Sequence, residues 1–191
     1  MTRTGMTNLI SLLRDYCAVS TADYTLGTTV YWSDNQLQTA LDRHKVAVNR
    51  EQLIPVEAYD AGTLVYKEYR SQFGNYEETS GGTAIFEIED AVGSTIGTAN
   101  WAMDYANGIL SFAADRAGTL YYLNGTSYDV HASAADIWRM KATQHAAVVD
   151  FSTDNMSVKR GQLIKNDMEM ANYHASQARV RKLQFDRDDT T

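Results

Sequence analysis

The sequence predicts an α+β fold in which a small helical bundle, built from both ends of the chain, carries an inserted antiparallel β-domain. Apolar residues recur at three- and four-residue steps in both end regions, which is the spacing of a buried helix face. Between these regions they alternate with polar residues, as in half-buried strands. The predicted segments are N-terminal helices at 1–51, the β-domain at 52–130, C-terminal helices at 131–178 and a tail at 179–191.

Composition limits the possible functions. Hydrophobic residues make up 44% of the 191 residues, enough to build a core. A net charge of -7 argues against a nucleic-acid-binding surface, which would show clustered Lys and Arg. The single cysteine, Cys17, rules out an intramolecular disulfide and a zinc cluster built from cysteines, and its apolar neighbours predict a small core residue. The N-terminal residues do not resemble a signal peptide, so we expect a soluble protein made in a reducing cytoplasm.

Two helices are predicted near the N-terminus, separated by a loop at 20–30. Thr7 is the expected cap of the first helix. Its apolar positions are Leu9, Ile10, Leu13, Tyr16 and Cys17. Ser33 and Gln36 have the spacing of a capping box at the start of the second helix, which we expect to end near Val48 and Asn49. Its buried stripe is Leu37, Ala40, Leu41 and His44.

Turn signals organise the predicted β-domain. Asn107-Gly108 and Asn124-Gly125 each lie between strand-like runs, and Asn-Gly suits the type I′ turn because both central residues take positive φ. We therefore expect a hairpin at each pair. Pro55, the one proline, is expected at the entrance of the domain, where a missing backbone donor does least harm.

Two further helices are predicted after the β-domain, joined by a connector at 150–157. The first begins at Ser133 or slightly earlier. Its buried stripe is Trp138, Ala142, His145 and Val149. The last helix runs from about Lys159 to Ala178 and has a narrow seam suited to close packing against another helix, within or between subunits. The seam residues are Ile164, Met168, Ala171 and Ala175.

Catalytic motifs are absent from the sequence, and we expect neither an enzyme nor a cofactor. The four histidines have no i, i+4 pair on one helix, so hydrogen-bonded core, interface or helix-end roles are favoured over a zinc site. They are His44, His131, His145 and His174. The carboxylates of Glu87, Glu89 and Asp90 are expected on a solvated strand face. The 12 tyrosines fit either strand packing or a protein–protein interface, and the sequence leaves both possibilities open.

Two stretches resemble one protein family. One is the helix start YWSDNQLQTALD at 31–42. The other is YDVHASAADIW at 128–138, running on to DFSTDNMSVKRGQ at 150–162 and the helix beyond. Both resemble the head–tail connector, or portal adaptor, proteins of long-tailed bacteriophages. The chain departs from that family in its large β-domain, where many members have a short loop. It also has Asn155 where a glycine is usual, and Asn likewise tolerates the left-handed region.

The resemblance implies a structural role in the virion. Such proteins form rings, usually of twelve subunits, beneath the portal after assembly in the host cytoplasm. The ring connects the capsid to the tail and contacts the portal and a stopper or tail-completion protein. It surrounds the DNA exit channel without sequence-specific DNA binding, and no membrane binding is implied. By the same resemblance the C-terminal tail is a portal-docking arm, with Arg179, Arg181, Lys182 and Phe185 as partner-binding residues.

Two alternatives compete with the adaptor. The first is a different neck or tail-completion protein that uses the same helical frame. The second is a host- or carbohydrate-binding module displayed on the neck, in which tyrosines and a tryptophan of the β-domain form the ligand platform.

Overall fold

The computed structural model of the protein describes residues 2–19, 25–26, 29–78, 86–146, 151–153, 156–158 and 160–179. Within these residues the chain has an α+β fold, as predicted. The α-helices are α1 Thr7–Cys17, α2 Asp34–Arg43, α3 Val130–His145 and α4 Arg160–Gln177. The strands are β1 Thr25–Leu26, β2 Thr29–Val30, β3 Lys45–Gln52, β4 Ile54–Asp60, β5 Thr63–Arg70, β6 Glu87–Asp90, β7 Trp101–Asp104, β8 Ile109–Phe112, β9 Tyr121–Tyr128, β10 Phe151–Thr153 and β11 Met156–Val158.

The β-domain consists of two antiparallel sheets, ordered β3-β9-β6 and β4-β5-β8-β7. Its first and last strands pair with each other, with Lys45 opposite Tyr128. The chain therefore enters and leaves the domain side by side, which allows the bundle to accept a long insertion without separating its helices. Pro55 lies in β4, an edge strand of the second sheet, where proline is tolerated.

The boundary between helix and β-domain differs from the prediction. We expected the second helix to continue to about residue 48, but α2 ends at Arg43 and β3 begins at Lys45. Val46 and Val48 favour a strand, and Val48 is buried in the β-core. The pairing of β3 with β9 supplies the long-range contacts that the local sequence does not reveal.

The N-terminal helices have the predicted buried faces, but one cap is wrong. A 3₁₀ turn at Thr4–Met6 precedes α1, and Thr7 lies in the first turn of the helix, where its hydroxyl donates to the Thr4 carbonyl at 2.9 Å. The predicted capping box of α2 is confirmed, since the Ser33 N–H donates to Oε1 of Gln36 at 2.9 Å.

Helix α3 is the centre of the bundle and contacts the other three helices. Asp129 caps it by accepting the Ala132 N–H at 2.9 Å, so it begins three residues before Ser133. Ser133 and Asp136 contact α2, whereas His131 contacts α4. At 3.6 residues per turn these two sets are about half a turn apart, so α2 and α4 lie on opposite sides of α3. The shared core is Met6, Leu9, Ile10, Leu13, Cys17, Trp32, Leu37, Ala40, Leu41, Tyr128, Val130, Ala134 and Ile137.

One of the two predicted hairpins is present, but without the type I′ turn. The segment around Asn107-Gly108 joins β7 to β8 through a four-residue loop, in which Gly108 has φ +70 whereas Asn107 does not have positive φ. The hairpin predicted at Asn124-Gly125 is wrong, because both residues lie inside the continuous strand β9.

Packing explains why Asn124 and Gly125 occur inside a strand. A Cβ at Gly125 would lie 3.1 Å from Cδ2 of Phe86 and 3.4 Å from Cδ1 of Tyr76, so glycine makes room for the two rings. The Asn124 side chain accepts the Arg50 N–H at 2.6 Å and donates to Glu89 at 2.6 Å. It thereby satisfies a backbone donor at the register shift in β3.

Short strand pairs occupy parts of two segments predicted as connections. β1 pairs with β2 inside the predicted loop at 20–30, and β10 pairs with β11 inside the connector between α3 and α4. In the latter pair Phe151 is opposite Val158 and Thr153 is opposite Met156. Val149 and Asn155 lie outside the described residues.

The packing at Gly125 generates a stability prediction. Gly125→Val is expected to reduce the free energy of unfolding by about 1–3 kcal/mol, because the new side chain overpacks against Phe86 and Tyr76. Gly161→Ala is the control, since a Cβ there meets no atom within 4 Å and a helical alanine adds up to about 1 kcal/mol. Urea denaturation of both variants measures the difference. Equal stability of the two variants would contradict the packing explanation.

Candidate functional site

The junction between the helical bundle and the β-domain concentrates the polar contacts of the described chain. Arg3, before α1, connects α2 to the β-domain: Nη2 lies 2.6 Å from Oδ1 of Asp42, and Nε lies 2.8 Å from Oε1 of Glu77. Tyr128, at the end of β9, donates to Oε2 of Glu77 at 2.6 Å. Burial raises the pKa of the Tyr128 phenol, so this hydroxyl remains a donor to the buried carboxylate.

Arg179 forms a second connection at the junction. Its backbone N–H donates to Oδ2 of Asp129 at 2.7 Å. Its guanidinium donates to Oγ of Ser127 at 2.7 Å and to the Gly74 carbonyl at 3.0 Å, and it lies 5.5 Å from the centre of the Phe73 ring. These contacts attach the end of α4 to both the cap of α3 and the β-domain.

This geometry gives Arg179 a structural role beside the predicted one. Its guanidinium is half-buried and hydrogen-bonded within the chain, so it anchors the end of α4. We predicted Arg179 as a portal-binding residue, and that assignment stays a prediction. Arg181, Lys182 and Phe185 lie outside the described residues, so their assignment as portal-binding residues stays a prediction.

Two histidines that are far apart in sequence meet between α3 and α4. Nδ1 of His131 lies 3.0 Å from Nδ1 of His174, and the Tyr16 ring stacks on His131 with centroids 4.8 Å apart. His174 is 4% exposed and also hydrogen-bonds the backbone of Tyr16. Burial lowers the pKa of His174 below its ordinary value of 6.5, and the nearby His131 lowers it further. The pair joins α1, α3 and α4.

The other two histidines also connect helices. Nε2 of His44 lies 2.7 Å from Oδ2 of Asp136, which joins the end of α2 to α3. Nδ1 of His145 lies 2.5 Å from Oδ2 of Asp167, which joins the end of α3 to α4. The four histidines therefore form helix–helix contacts, which agrees with the core or interface roles predicted for His44, His145 and His174. His131, expected to serve a helix end, lies within α3 and contacts α4 instead. The partners of the histidines had no signal in the sequence, since 22 to 92 residues separate the members of each pair.

The predicted seam of α4 is only partly the face that packs within the chain. Ala171 is fully buried and Ile164 is half-buried, whereas Met168 is 40% exposed and Ala175 is exposed. The packed face instead includes Asp167 and His174, each one position before an expected seam residue. The predicted seam contained only apolar residues. Asp167 and His174 can be buried because each contacts a histidine of α3. Packing of Met168 and Ala175 between subunits stays a prediction.

The end of α1 receives side-chain donors from α3. Nε1 of Trp138 donates to the Tyr16 carbonyl at 3.1 Å, and Lys141 donates to the Cys17 carbonyl. These donors satisfy terminal helix carbonyls that have no partner within α1. Cys17 itself is fully buried, and burial raises its pKa to about 12, consistent with the predicted core role.

Most of the described aromatic residues in the β-domain serve as core. Tyr69 and Tyr76 are almost completely buried, and Tyr69 makes edge contacts with Phe112 and Tyr121. Tyr59, at the tip of the β4–β5 hairpin, is 77% exposed. The predicted solvated carboxylates are instead half-buried, and Asp90 caps a turn by accepting the Val92 and Ser94 N–H groups. Exposed apolar side chains on the helices are Met140, Met168, Met170 and Tyr173.

The described residues were also compared with the requirements of a metal site and of a membrane span. Within the described ranges, histidine, cysteine and carboxylate side chains do not form a group of three or more that could hold a metal ion. Among the described helices, none combines the length and apolar character needed to cross a membrane.

Comparisons of the chain with protein-family models, with curated proteins and with solved structures find no match.

The His131–His174 contact generates a pH prediction. Because the pKa of His174 is lowered by folding, the unfolded chain binds more protons below pH 6.5. The stability contributed by neutral His174 is therefore fully present above pH 6.5 and is lost as the pH falls through the folded pKa. We expect His174→Gln to lose less stability than the wild type between about pH 7.5 and about pH 5.5 in urea denaturation. Equal losses in the two proteins would contradict this linkage.

The Arg179 anchor generates a second prediction. Arg179→Ala is expected to lower the free energy of unfolding by about 1–2 kcal/mol, because it removes two guanidinium hydrogen bonds at the junction. Amide exchange of the last turn of α4 should accelerate in the same variant. Lys165→Ala is the control, since its exposed ion pair with Glu169, at 3.8 Å, contributes at most about 0.5 kcal/mol. If α4 exchanges equally fast in both variants, Arg179 is not an anchor.

Proposed function

We propose that this chain is a structural virion protein, a head-to-tail adaptor that forms a ring beneath the portal of a tailed phage. The observation that carries the proposal is the convergence of the two family-like stretches. The first, 31–42, includes most of α2, and the second, from 128 through 162 and the helix beyond, includes α3 and α4. The whole β-domain separates the two in sequence, yet their helices belong to one bundle.

Direct contacts connect these stretches. Oγ of Ser133 lies 3.3 Å from the Ala40 carbonyl, so the second stretch contacts the first. Helix α4, which belongs to the second stretch, packs chiefly on α3. The resemblance therefore follows a contiguous structural frame, and this favours a shared architecture over two coincidental similarities.

The frame also has surfaces suited to ring formation. A closed ring built by rotation needs two different complementary faces on each subunit. One candidate is the outer side of α4, where Met170 and Tyr173 are 38% and 56% exposed. The other is a groove of about 360 Å³ between α2 and α3, lined by Tyr31, Trp32 and Met140. Because α2 and α4 lie on opposite sides of α3, these faces point in different directions and could join successive subunits.

The alternative of a carbohydrate-binding module has less support. Such a module would use exposed aromatic rings as its platform, but Tyr69, Tyr76 and Tyr121 pack in the β-core. Among the described tyrosines of the β-domain, Tyr59 at a hairpin tip is exposed, and Tyr66 and Tyr122 are half-buried. A glycan-array screen with reproducible hits that depend on Tyr59 would favour this alternative.

Electron microscopy tests the adaptor proposal. We expect the purified chain, alone or mixed with its portal protein, to form rings whose symmetry matches the portal and whose axis coincides with the portal axis. Symmetry matched to the tail tube instead would favour a tail-completion protein. A stable monomer that does not bind the portal would contradict the proposal.

A matched pair of variants makes this test specific to the suggested faces. Tyr173→Glu places a charge on the outer side of α4 and is expected to reduce ring formation, because an interface core disfavours an unpaired charge. Val92→Glu is the control, since Val92 is 85% exposed on a turn of the β-domain. Analytical ultracentrifugation should show fewer rings for Tyr173→Glu and an unchanged distribution for Val92→Glu. Equal behaviour of the two variants would exclude the α4 face.

A further inference from the structure

A groove of about 390 Å³ lies between α1 and the β-domain. Its apolar lining includes Leu9 and Leu12 of α1 together with Met103 and Tyr105 of the β7–β8 region. Glu78 and Asp104 also line it, and none of the described lining residues is basic. The groove thus combines an apolar floor with negative charge, a chemistry suited to an extended peptide that carries apolar and basic side chains.

The end of the described chain lies next to this groove. The Arg179 guanidinium donates to the Gly74 carbonyl, and the following residue, Asn75, lines the groove. Tyr76 also lines the groove. Burial raises the pKa of its phenol, and the nearby positive charge of Arg179 opposes that rise. The Arg179 side chain therefore reaches one end of the groove, and the next residues begin within a side-chain length of it.

The six residues that follow Arg179 have the complementary chemistry. Val180, Leu183 and Phe185 are apolar, and Arg181 and Lys182 are basic. Six residues of extended chain span at most about 20 Å, which is enough to pass along a groove of this size.

We propose that the groove binds residues 180–185 of the same chain. Leu183 and Phe185 contact the apolar side chains of α1 and the β7–β8 region, while Arg181 and Lys182 lie near Glu78 and Asp104. Binding in the same molecule is favoured because the Arg179 anchor gives the segment a high effective concentration at the groove. This binding concerns the isolated chain and does not depend on the adaptor function.

Paramagnetic broadening in the full-length chain tests the proposal. A nitroxide is attached at Gln184→Cys, a position outside the proposed contacts; native Cys17 is fully buried, with a pKa raised to about 12, and is not expected to react. We expect the methyl signals of Leu9, Leu12 and Met103 to be lost while those of Leu64, in the β4–β5 hairpin, remain. Retention of all these signals, or an equal loss at Leu64, would overturn the proposal.

Two controls identify the source and the chemistry of the contact. In the first control, chain that carries the nitroxide but no isotopes is mixed with isotope-enriched chain that carries no nitroxide. We expect the groove signals of the enriched chain to remain. Their loss would show that the segment binds a second copy, which would overturn binding within one chain. The double substitution Arg181→Glu and Lys182→Glu should restore the groove signals of the labelled chain. Unchanged broadening in that variant would overturn the role of Glu78 and Asp104. Ring formation with the portal is a separate measurement, so failure here leaves the adaptor proposal unaffected.

Discussion

The buried carboxylate of Glu77 is the constraint on which the arrangement of the two parts depends. Glu77 is 4% exposed, and a carboxylate removed from water must be paired and hydrogen-bonded or the fold loses several kcal/mol. Arg3 and Tyr128 supply that compensation from the N-terminal segment and from the end of β9. Both partners must meet at Glu77, so the start of the chain is fixed against the end of the β-domain. Arg3 also pairs with Asp42, which fixes α2 in the same arrangement.

Much of the fold could be predicted, because helical spacing and caps are local. The buried faces of α1 and α2 and the Ser33–Gln36 capping box follow from residues within four positions of one another. Features that depend on distant partners could not be predicted. Asn124-Gly125 has the sequence of a turn, but the rings of Phe86 and Tyr76 and the Arg50 N–H determine its conformation. Tertiary contacts override local preference at such positions.

The predicted site had the same limitation. Sequence placed the histidines in helix contacts, but it could not pair His131 with His174 or His145 with Asp167, because no local spacing encodes a contact across 22 or 43 residues. The family resemblance placed Arg179 in a portal-docking arm, and no local signal showed that it also bonds within the chain. The acceptors that hold Arg179, on Ser127 and Gly74, are 52 and 105 residues away in sequence and become adjacent only when the β-domain has folded.

Charge distribution indicates which part of the molecule would contact neighbouring subunits in the proposed ring. Residues 45–128 contain eleven acidic and five basic residues, so the β-domain carries a net charge of -6 out of -7 and the rest of the chain is nearly neutral. Like charges repel at separations up to about 8 Å at physiological salt, so close packing of β-domain against β-domain would be unfavourable. The nearly neutral helical flanks incur no such cost. Since the Arg3 and Arg179 contacts fix the β-domain against the bundle, helix-mediated packing would hold every acidic domain in the same orientation around the ring axis.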